Sequence, residues 1–176
     1  MKNFLIFTLL AFISSNVFAE SFYDFKYNDT SGNPVTFDSF KGKIVLVVNI
    51  ATRCGFTGQL DDLEKVYLKY KDKNFVVLGI PSNNFLSQTP EANKEVGNFC
   101  RLKYGVTFPI LEKQEVIGKE KSPLYKWINS QKGYEGNILW NFEKFIVDKN
   151  GKIVDRFRSV TNPSDKDLTQ AIEKIL

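Results

Sequence analysis

A near-continuous apolar run at residues 43–50 is the feature that most constrains how this chain can fold. A run so rich in Val, Ile and Leu is typical of a strand that is covered on both faces. Apolar residues then recur at helical spacing over residues 60–70, and a second apolar run follows at residues 75–80. Strand, helix and strand in this order predict a βαβ unit with a right-handed crossover and parallel strands.

Cys54 follows the first predicted strand and is followed directly by Gly55. If the helix begins there, the sulfur lies beside backbone N–H groups that have no helical partner. The partial positive charge of a helix N-terminus favours the thiolate, which is the form of cysteine that attacks peroxides and disulfides. A small buried hydrophobic residue is the more common role of a lone cysteine. The turn and the helix start favour a reactive thiol here.

Short strands are predicted at both ends of the chain. Residues 22–27 and 34–37 predict an N-terminal β-hairpin around a polar turn. Near the C-terminus, residues 142–147 and 152–157 flank an Asn-Gly pair, which is a strong hairpin signal.

Three further helices are predicted from their first residues, which are Thr89-Pro90, Ser122-Pro123 and Asn162-Pro163. The first of them has four residues on its apolar face: Ala92, Val96, Phe99 and Cys100. The order of βαβ unit, helix, hairpin and helix indicates an α/β protein with a thioredoxin-like fold. In this fold a central mixed sheet is flanked by helices, and the N-terminal β-hairpin is an addition.

Residues 1–19 have the pattern of a signal peptide: Lys2, an apolar stretch at residues 4–13, and a small-residue cleavage site ending at Ala19. The pattern predicts one domain at residues 20–176 of an exported chain, periplasmic or secreted. An uncleaved membrane anchor is the alternative, but this stretch is shorter than the roughly 20 apolar residues that span a bilayer.

Composition excludes several kinds of chemistry. The net charge is +4, and the Lys residues are scattered among acidic ones, so nucleic acid is not an expected partner. The chain has no histidine, which excludes Ser-His-Asp and Cys-His catalysis and every His-ligated metal site. Its two cysteines, far apart in sequence, match neither a zinc pattern nor a C-x-x-C pair. Thiols and neutral donors must supply any chemistry, with no metal or organic cofactor implied.

Four motifs in order resemble those of the glutathione peroxidase family in its cysteine form. They are NIATRCGFT at residues 49–57, GIPSNNF at residues 79–85 with Gln88, Phe99-Cys100 before YGVTFP at residues 104–109, and WNFEKF at residues 140–145. The resemblance extends from about residue 22 to the C-terminus. It implies the same thioredoxin-like fold.

The resemblance aligns Cys54, Gln88, Trp140 and Asn141 with the catalytic tetrad of the family. Taken alone, Gln88 would be a solvated loop residue, Trp140 a core aromatic residue and Asn141 a turn cap. An indole N–H and two amides are donors that can stabilise a thiolate and later the leaving oxygen.

Cys100 is similar in position to the resolving cysteine of family members that use thioredoxin. From the residues alone, a buried inert thiol is at least as consistent with the pattern, and an exported chain also permits a permanent structural disulfide. If Cys100 does resolve, we expect the thiol form to hold the two sulfur atoms well apart. Residues 90–104 would then rearrange to form the disulfide.

The sequence departs from the family pattern in two places. The usual Cys-Asn-Gln-Phe-Gly is replaced by SNNFL at residues 82–86, so that Gln88 is expected to lie differently. Residues 132–139 lack the insertion that supports tetramers in glutathione-using members, and no arginine cluster suggests a glutathione carboxylate site. These differences favour a monomer and a thioredoxin-like reductant over glutathione.

The resemblance therefore implies an antioxidant thiol peroxidase that reduces hydrogen peroxide and organic hydroperoxides. Cys54 would form a sulfenic acid, Cys100 would condense with it to a Cys54–Cys100 disulfide, and a thioredoxin-like dithiol protein would reduce the disulfide. Two alternatives remain open at this point. One is a redox relay or sensor that oxidises client thiols, and the other is a non-catalytic exported domain with a structural disulfide.

Overall fold

The first apolar run forms the central strand of the main sheet in the computed structural model, which describes residues 21–176. The strands and α-helices, in chain order, are β1 (Lys26–Asn28), β2 (Pro34–Thr36), β3 (Ile44–Ile50), α1 (Gln59–Tyr70), β4 (Phe75–Pro81), α2 (Asn93–Tyr104), α3 (Pro123–Ser130), β5 (Lys144–Val147), β6 (Ile153–Phe157) and α4 (Lys166–Glu173).

The main sheet has the strand order β4-β3-β5-β6. Strands β3 and β4 are parallel, as a βαβ unit requires, whereas β5 is antiparallel to both β3 and β6. Strands β1 and β2 form a separate antiparallel hairpin. The predicted mixed sheet and N-terminal hairpin are confirmed.

Strand β3 divides the core into two layers because alternate side chains point to opposite faces of a sheet. Leu46 and Val48 pack with α1, α2 and α4, in the cluster that also contains Cys54 and Cys100. Val45 and Val47 face the other layer, which contains α3 and the aromatic residues of the N-terminal segment. Both faces are covered, which explains why every residue of β3 is buried.

Helix α1 begins at Gln59, so the prediction that a helix starts at Cys54 is wrong. A series of turns intervenes, in which the Thr57 N–H donates to the Cys54 carbonyl at 3.0 Å and the Gln59 N–H donates to the Phe56 carbonyl at 2.9 Å. The cause is local: the Thr57 hydroxyl accepts the Cys54 N–H at 2.9 Å and donates to the Ala51 carbonyl at 3.0 Å. Such side-chain bonds compete with helical backbone bonds.

The N-terminal strand is shorter than predicted. Residues Phe22–Asp24 form a 3-10 helix. The Ser21 N–H donates to the Asp24 carboxylate at 3.1 Å, and the Ser21 hydroxyl accepts the Tyr23 N–H at 3.2 Å. Likewise a second 3-10 helix, Phe37–Phe40, follows β2 directly. The polar residues in these segments bond the local backbone and so displace the sheet pairing that the apolar residues suggested.

Helices α2 and α4 each begin three residues after the proline at which the sequence predicted their start, Pro90 and Pro163. Helix α2 follows Ala92, which is exposed, because the Glu95 carboxylate accepts the Ala92 N–H at 3.1 Å and caps the helix there. Helix α4 follows Asp165, whose carboxylate accepts the Asn162 N–H at 2.8 Å across a turn. By contrast, α3 begins at Pro123 with Ser122 as its cap, as predicted.

Within residues 21–176, no helix has both the length and the apolar character needed to cross a membrane. The predicted signal peptide, residues 1–19, lies outside the described part of the chain.

Candidate active site

Cys54 lies in the turn between β3 and α1, with 8% of the residue exposed. Its sulfur accepts the Phe56 N–H at 3.4 Å, so a backbone donor faces Sγ, as the sequence predicted. The donor comes from a turn that Thr57 holds in shape rather than from the first turn of a helix. A hydrogen bond to the charged form of a side chain favours that form, so this N–H can stabilise a thiolate.

Gln88 is half-buried and contacts the Cys54 turn through its backbone. Its carbonyl oxygen accepts the Arg53 N–H at 2.9 Å. Its side-chain oxygen Oε1 accepts from Nδ2 of Asn141 at 2.9 Å. The structure thus brings together the two amides that the resemblance assigned, and the backbone of Gln88 contacts the residue before Cys54. Because Oε1 is occupied, the Nε2 group of Gln88 is left as a donor.

Asn49 connects the segment at residues 140–143 to strand β3. Its Nδ2 donates to the Trp140 carbonyl at 3.0 Å, and its Oδ1 accepts the Glu143 N–H at 2.9 Å. Its own carbonyl accepts the Phe142 N–H at 2.6 Å. Asn49 is fully buried, five residues before Cys54, and sequence reasoning gave it no role. A lone amide inside an otherwise apolar strand was the available signal.

The same segment holds an uncommon backbone and an unusual buried oxygen. Phe142 has a φ of 65°, the left-handed region that residues with a side chain rarely adopt. Asn141 is fully buried, and within residues 21–176 its Oδ1 has no hydrogen-bond partner. Strained backbone and unsatisfied buried polar atoms concentrate at functional sites.

Trp140 is half-buried, and its ring packs against Phe85 with 5.4 Å between centroids. Its indole also contacts both layers of the core. Packing and a role at the site are therefore compatible for this residue.

The departure at residues 82–86 does not separate Gln88 from Asn141. The Ser82 hydroxyl donates to Asn84 Oδ1 at 3.0 Å, and the Val116 N–H donates to the same oxygen at 2.6 Å, so side chains hold this loop. Leu86, in place of the usual glycine, has a φ of 51°. The loop therefore keeps a glycine-like backbone with a leucine in that position.

Cys100 is completely buried on the apolar face of α2, as predicted. Burial raises the pKa of its thiol to about 12, so the group is protonated at neutral pH. Both cysteines are free thiols in this structure. Cys100 therefore lies in the core that also contacts Cys54, but in a form that is not nucleophilic.

Glu91 and Lys144 are two further polar residues near the site that sequence reasoning missed. The Glu91 carboxylate accepts from the Thr52 hydroxyl at 2.7 Å and from Arg53 Nε at 2.8 Å. Lys144 is fully buried, and its Nζ donates to the side-chain oxygen of Gln59, the first residue of α1. Burial lowers the pKa of Lys144 to about 7. These bonds fix the start and the end of the turn that carries Cys54.

The sequence profile of the family described as Glutathione peroxidase matches residues 22–129. Glutathione peroxidase-like peroxiredoxin 2 of Saccharomyces cerevisiae is 49% identical over 160 residues, covering 89% of this chain and 97% of the yeast protein. Glutathione peroxidase-like peroxiredoxin gpx1 of Schizosaccharomyces pombe is 46% identical, covering 88% and 98% of the two chains. Hydroperoxy fatty acid reductase gpx1 of Synechocystis sp. is 41% identical, covering 88% and 95%.

Solved structures resemble the fold as well. The crystal structure of Trgpx in apo form has a TM-score of 0.71 and 38% identity, covering 89% of this chain and 96% of that chain. A thioredoxin family thiol:disulfide interchange protein from Chlorobium tepidum TLS has a TM-score of 0.63 at 22% identity, covering 84% and 92%, and so shows the fold alone.

The fold and the site together define a redox protein with a thioredoxin-like fold and Cys54 in its active site. The matches to the family profile and to the relatives identify the family. The chain belongs to the glutathione peroxidase family and is a peroxidase.

Proposed function

We propose that this chain reduces hydroperoxides with Cys54 as the attacking thiol and Cys100 as the resolving thiol. The observation that carries the proposal is the arrangement at the Cys54 turn. A backbone N–H faces Sγ, and the side-chain amides of Gln88 and Asn141 bond each other. The backbone carbonyl of Gln88 accepts the N–H of Arg53, the residue before Cys54. Donors that need not titrate can stabilise charge on sulfur and on oxygen in turn.

In the first step, the Cys54 thiolate attacks one peroxide oxygen. An S–O bond forms and the O–O bond breaks, so that sulfur loses two electrons and the peroxide is reduced. The leaving oxygen departs as an alkoxide or hydroxide that takes up a proton to give an alcohol or water. The amides of Gln88 and Asn141 and the indole of Trp140 are the donors for the charge on that oxygen.

In the second step, the Cys100 thiolate attacks the sulfenic sulfur of Cys54. An S–S bond forms, the S–O bond breaks, and the oxygen leaves as hydroxide, which takes up the proton that Cys100 has lost to give water. Because Cys100 is buried and its pKa is raised to about 12, this step requires α2 to open before the thiol can lose its proton. A disulfide also requires the two Cα atoms to come within about 7 Å.

The partners in the cycle are a hydroperoxide and a thioredoxin-like dithiol protein, with glutathione less suited as the reductant. The relatives named peroxiredoxins support a thiol-based cycle. We further propose that the protein is a monomer that is exported to the periplasm or secreted, on the basis of the apolar N-terminal pattern. No nucleic acid and no stable membrane insertion form part of this proposal.

Organic hydroperoxides are included as substrates because one relative is named a hydroperoxy fatty acid reductase. Two exposed apolar residues are neighbours in sequence of Phe85 and Trp140, whose rings pack together. Leu86 is 78% exposed and Leu139 is 64% exposed. Such residues can contact the apolar chain of a hydroperoxide.

The test follows reduced protein treated with hydrogen peroxide or a fatty acid hydroperoxide. Cys54→Ser should abolish peroxide consumption. Cys100→Ser should consume about one equivalent and stop at the Cys54 sulfenic acid or a higher oxide, because resolution needs the second thiol. Sustained thioredoxin-driven turnover by Cys100→Ser would remove the resolving role. Peroxide consumption by Cys54→Ser at the native rate would overturn the whole cycle.

A further inference from the structure

Arg156, in strand β6, is a buried cation for which the proposed cycle gives no role. Its side chain is only 7% exposed. Its Nη1 donates to the carbonyl oxygens of Tyr134, Glu135 and Gly136 at 3.0, 2.8 and 3.1 Å. Its Nη2 donates to the next carbonyl, that of Asn137, at 2.8 Å. Four consecutive carbonyl groups therefore converge on one guanidinium.

The same guanidinium pairs with Glu143, which is 1% exposed. Oxygen Oε2 of Glu143 accepts from Nη2 of Arg156 at 2.9 Å and from Nε at 3.2 Å. The other oxygen, Oε1, accepts the Leu139 N–H at 2.6 Å. Arginine and glutamate together thus fix residues 134–139, which lead directly into Trp140 and Asn141.

This segment needs such support, because it ends in a conformation that is costly to hold. Phe142 has a φ of 65°, and Oδ1 of Asn141 is buried without a partner among residues 21–176. Strained conformations persist only where the surrounding contacts over-determine them. A planar fork of five donors can bind a carboxylate and several carbonyls at once, which the ammonium of a lysine cannot.

We propose that Arg156 is a positioning residue for the peroxide reaction, which acts through Glu143 and the carbonyls of residues 134–137 to hold Trp140 and Asn141 at the Cys54 site. The assignment rests on the proposed function, because it takes Trp140 and Asn141 as the donors of the peroxide step. Loss of the fork lets these donors shift while the sheet and the core stay intact. A displacement of about 1 Å can cost on the order of 10²-fold in rate.

Arg156→Lys and Arg156→Gln test this role, with Arg158→Gln as the matched control. Arg158 donates to the same Glu143 oxygen at 2.9 Å, but its side chain is 51% exposed, and within the described residues it bonds none of the carbonyls of residues 134–137. The rate of a single oxidation of Cys54 is measured in the Cys100→Ser background. We expect both Arg156 variants to be slower by on the order of tenfold. Arg158→Gln should stay within about twofold of the parent, because Arg156 still binds Glu143 and the carbonyls of residues 134–137 in that variant.

Two further readouts separate positioning from a general loss of stability. One is the emission of Trp140, recorded in a Trp127→Phe background because the chain has only two tryptophans. The other is amide exchange of residues 137–142, which should increase when the guanidinium no longer holds this segment. Both should change in the Arg156 variants and stay constant in Arg158→Gln. If Arg156→Gln does not fold, Arg156→Lys, which keeps the charge, carries the test.

A native oxidation rate in Arg156→Gln, measured beside a slowed Asn141→Ala, would overturn the positioning role and leave the proposed cycle intact. Slower oxidation with unchanged emission and unchanged amide exchange of residues 137–142 would assign Arg156 to stability alone and also overturn the positioning role. A native rate in Asn141→Ala would instead remove the donor roles of the proposed function.

Discussion

Cys54 and Cys100 contact the same apolar core but have different surroundings. Hydrogen bonds define the position of Cys54, which receives the Phe56 N–H and lies next to the residue bonded to Gln88. Apolar packing defines the position of Cys100, where burial raises the pKa of the thiol to about 12. The first thiol is held ready to react, whereas the second becomes reactive only if its helix opens. Disulfide formation by Cys100 can therefore follow the oxidation of Cys54 rather than precede it.

The largest expected effect is the difference in reactivity between the two thiols. In the reduced native protein at pH 7, iodoacetamide should alkylate Cys54 faster than Cys100 by a factor on the order of 10³ or more, because only the thiolate reacts and Cys100 is buried as the thiol. Peptide mass spectrometry over time measures both rates. In guanidinium chloride the two rates should become similar. A native ratio below about ten would contradict the comparison.

The second prediction concerns the amides beside Cys54. Gln88→Ala and Asn141→Ala should each slow oxidation of Cys54 by about 10²-fold, as removal of one oxyanion donor does. Gln170→Ala, an exposed amide on α4, is the control and should not change the rate. Trp140→Phe should also lower stability, because the indole packs against Phe85. If both amide variants oxidise within a factor of two of the parent, these residues are scaffold.

The sequence predicted the elements that depend on local pattern. Strands β3 and β4 were predicted correctly because both of their faces are covered, so each strand is a continuous apolar run in the sequence. Helix α3 was predicted correctly because Ser122 and Pro123 mark its start in the sequence itself. The starts of α1 and α2 were missed because side chains compete for the backbone there. Thr57 bonds the Cys54 turn, and the Thr89 N–H donates to Asn83 at 2.9 Å rather than starting a helix.

The site was predicted where a motif assigns a role and missed where the role depends on distant contacts. Gln88 and Asn141 came from the resemblance, and the structure brings them into contact. The contacts of Asn49 span 91 to 94 residues in sequence, and those of Arg156 join β6 to a loop about 20 residues earlier. Neither spacing leaves a signal in composition or periodicity. Only the fold shows that these residues support the site.

The third prediction tests whether packing of α2 controls resolution. A Cβ at Gly97 would overlap the hydroxyl of Thr30, which is 2% exposed, and the guanidinium of Arg101. Gly97→Ala should therefore destabilise the protein by about 1–3 kcal/mol, as overpacking does. It should also speed condensation of Cys100 with the Cys54 sulfenic acid, because opening α2 then costs less.

Urea unfolding and rapid-quench disulfide formation measure the two effects of Gly97→Ala. Asn98→Ala, an exposed neighbour on the same helix, is the control for helix propensity. An unchanged rate of disulfide formation in a clearly destabilised Gly97→Ala protein would show that opening of α2 does not limit resolution.

The smallest expected effect is a pH dependence of stability that arises from Lys144. This lysine bonds Gln59 at the end of the turn that carries Cys54. Burial lowers the pKa of this lysine to about 7, whereas an unfolded lysine keeps its proton up to about pH 10. Between about pH 7 and pH 10 the unfolded state binds more protons than the folded state, so the free energy of unfolding increases with pH over this range. The contribution is about 1 kcal/mol between pH 7 and pH 8. Urea unfolding at several pH values measures it.

Lys144→Met should flatten this part of the pH profile. Lys152→Met, which removes an exposed lysine from the turn between β5 and β6, should not. Because Lys144 bonds Gln59 at the start of α1, its loss should also increase amide exchange in the turn at residues 55–58 and leave α2 unchanged. Parallel pH profiles for the parent and Lys144→Met would rule out the lysine as the titrating group. Increased exchange in α2 would instead mean that the surroundings of the two thiols are not independent.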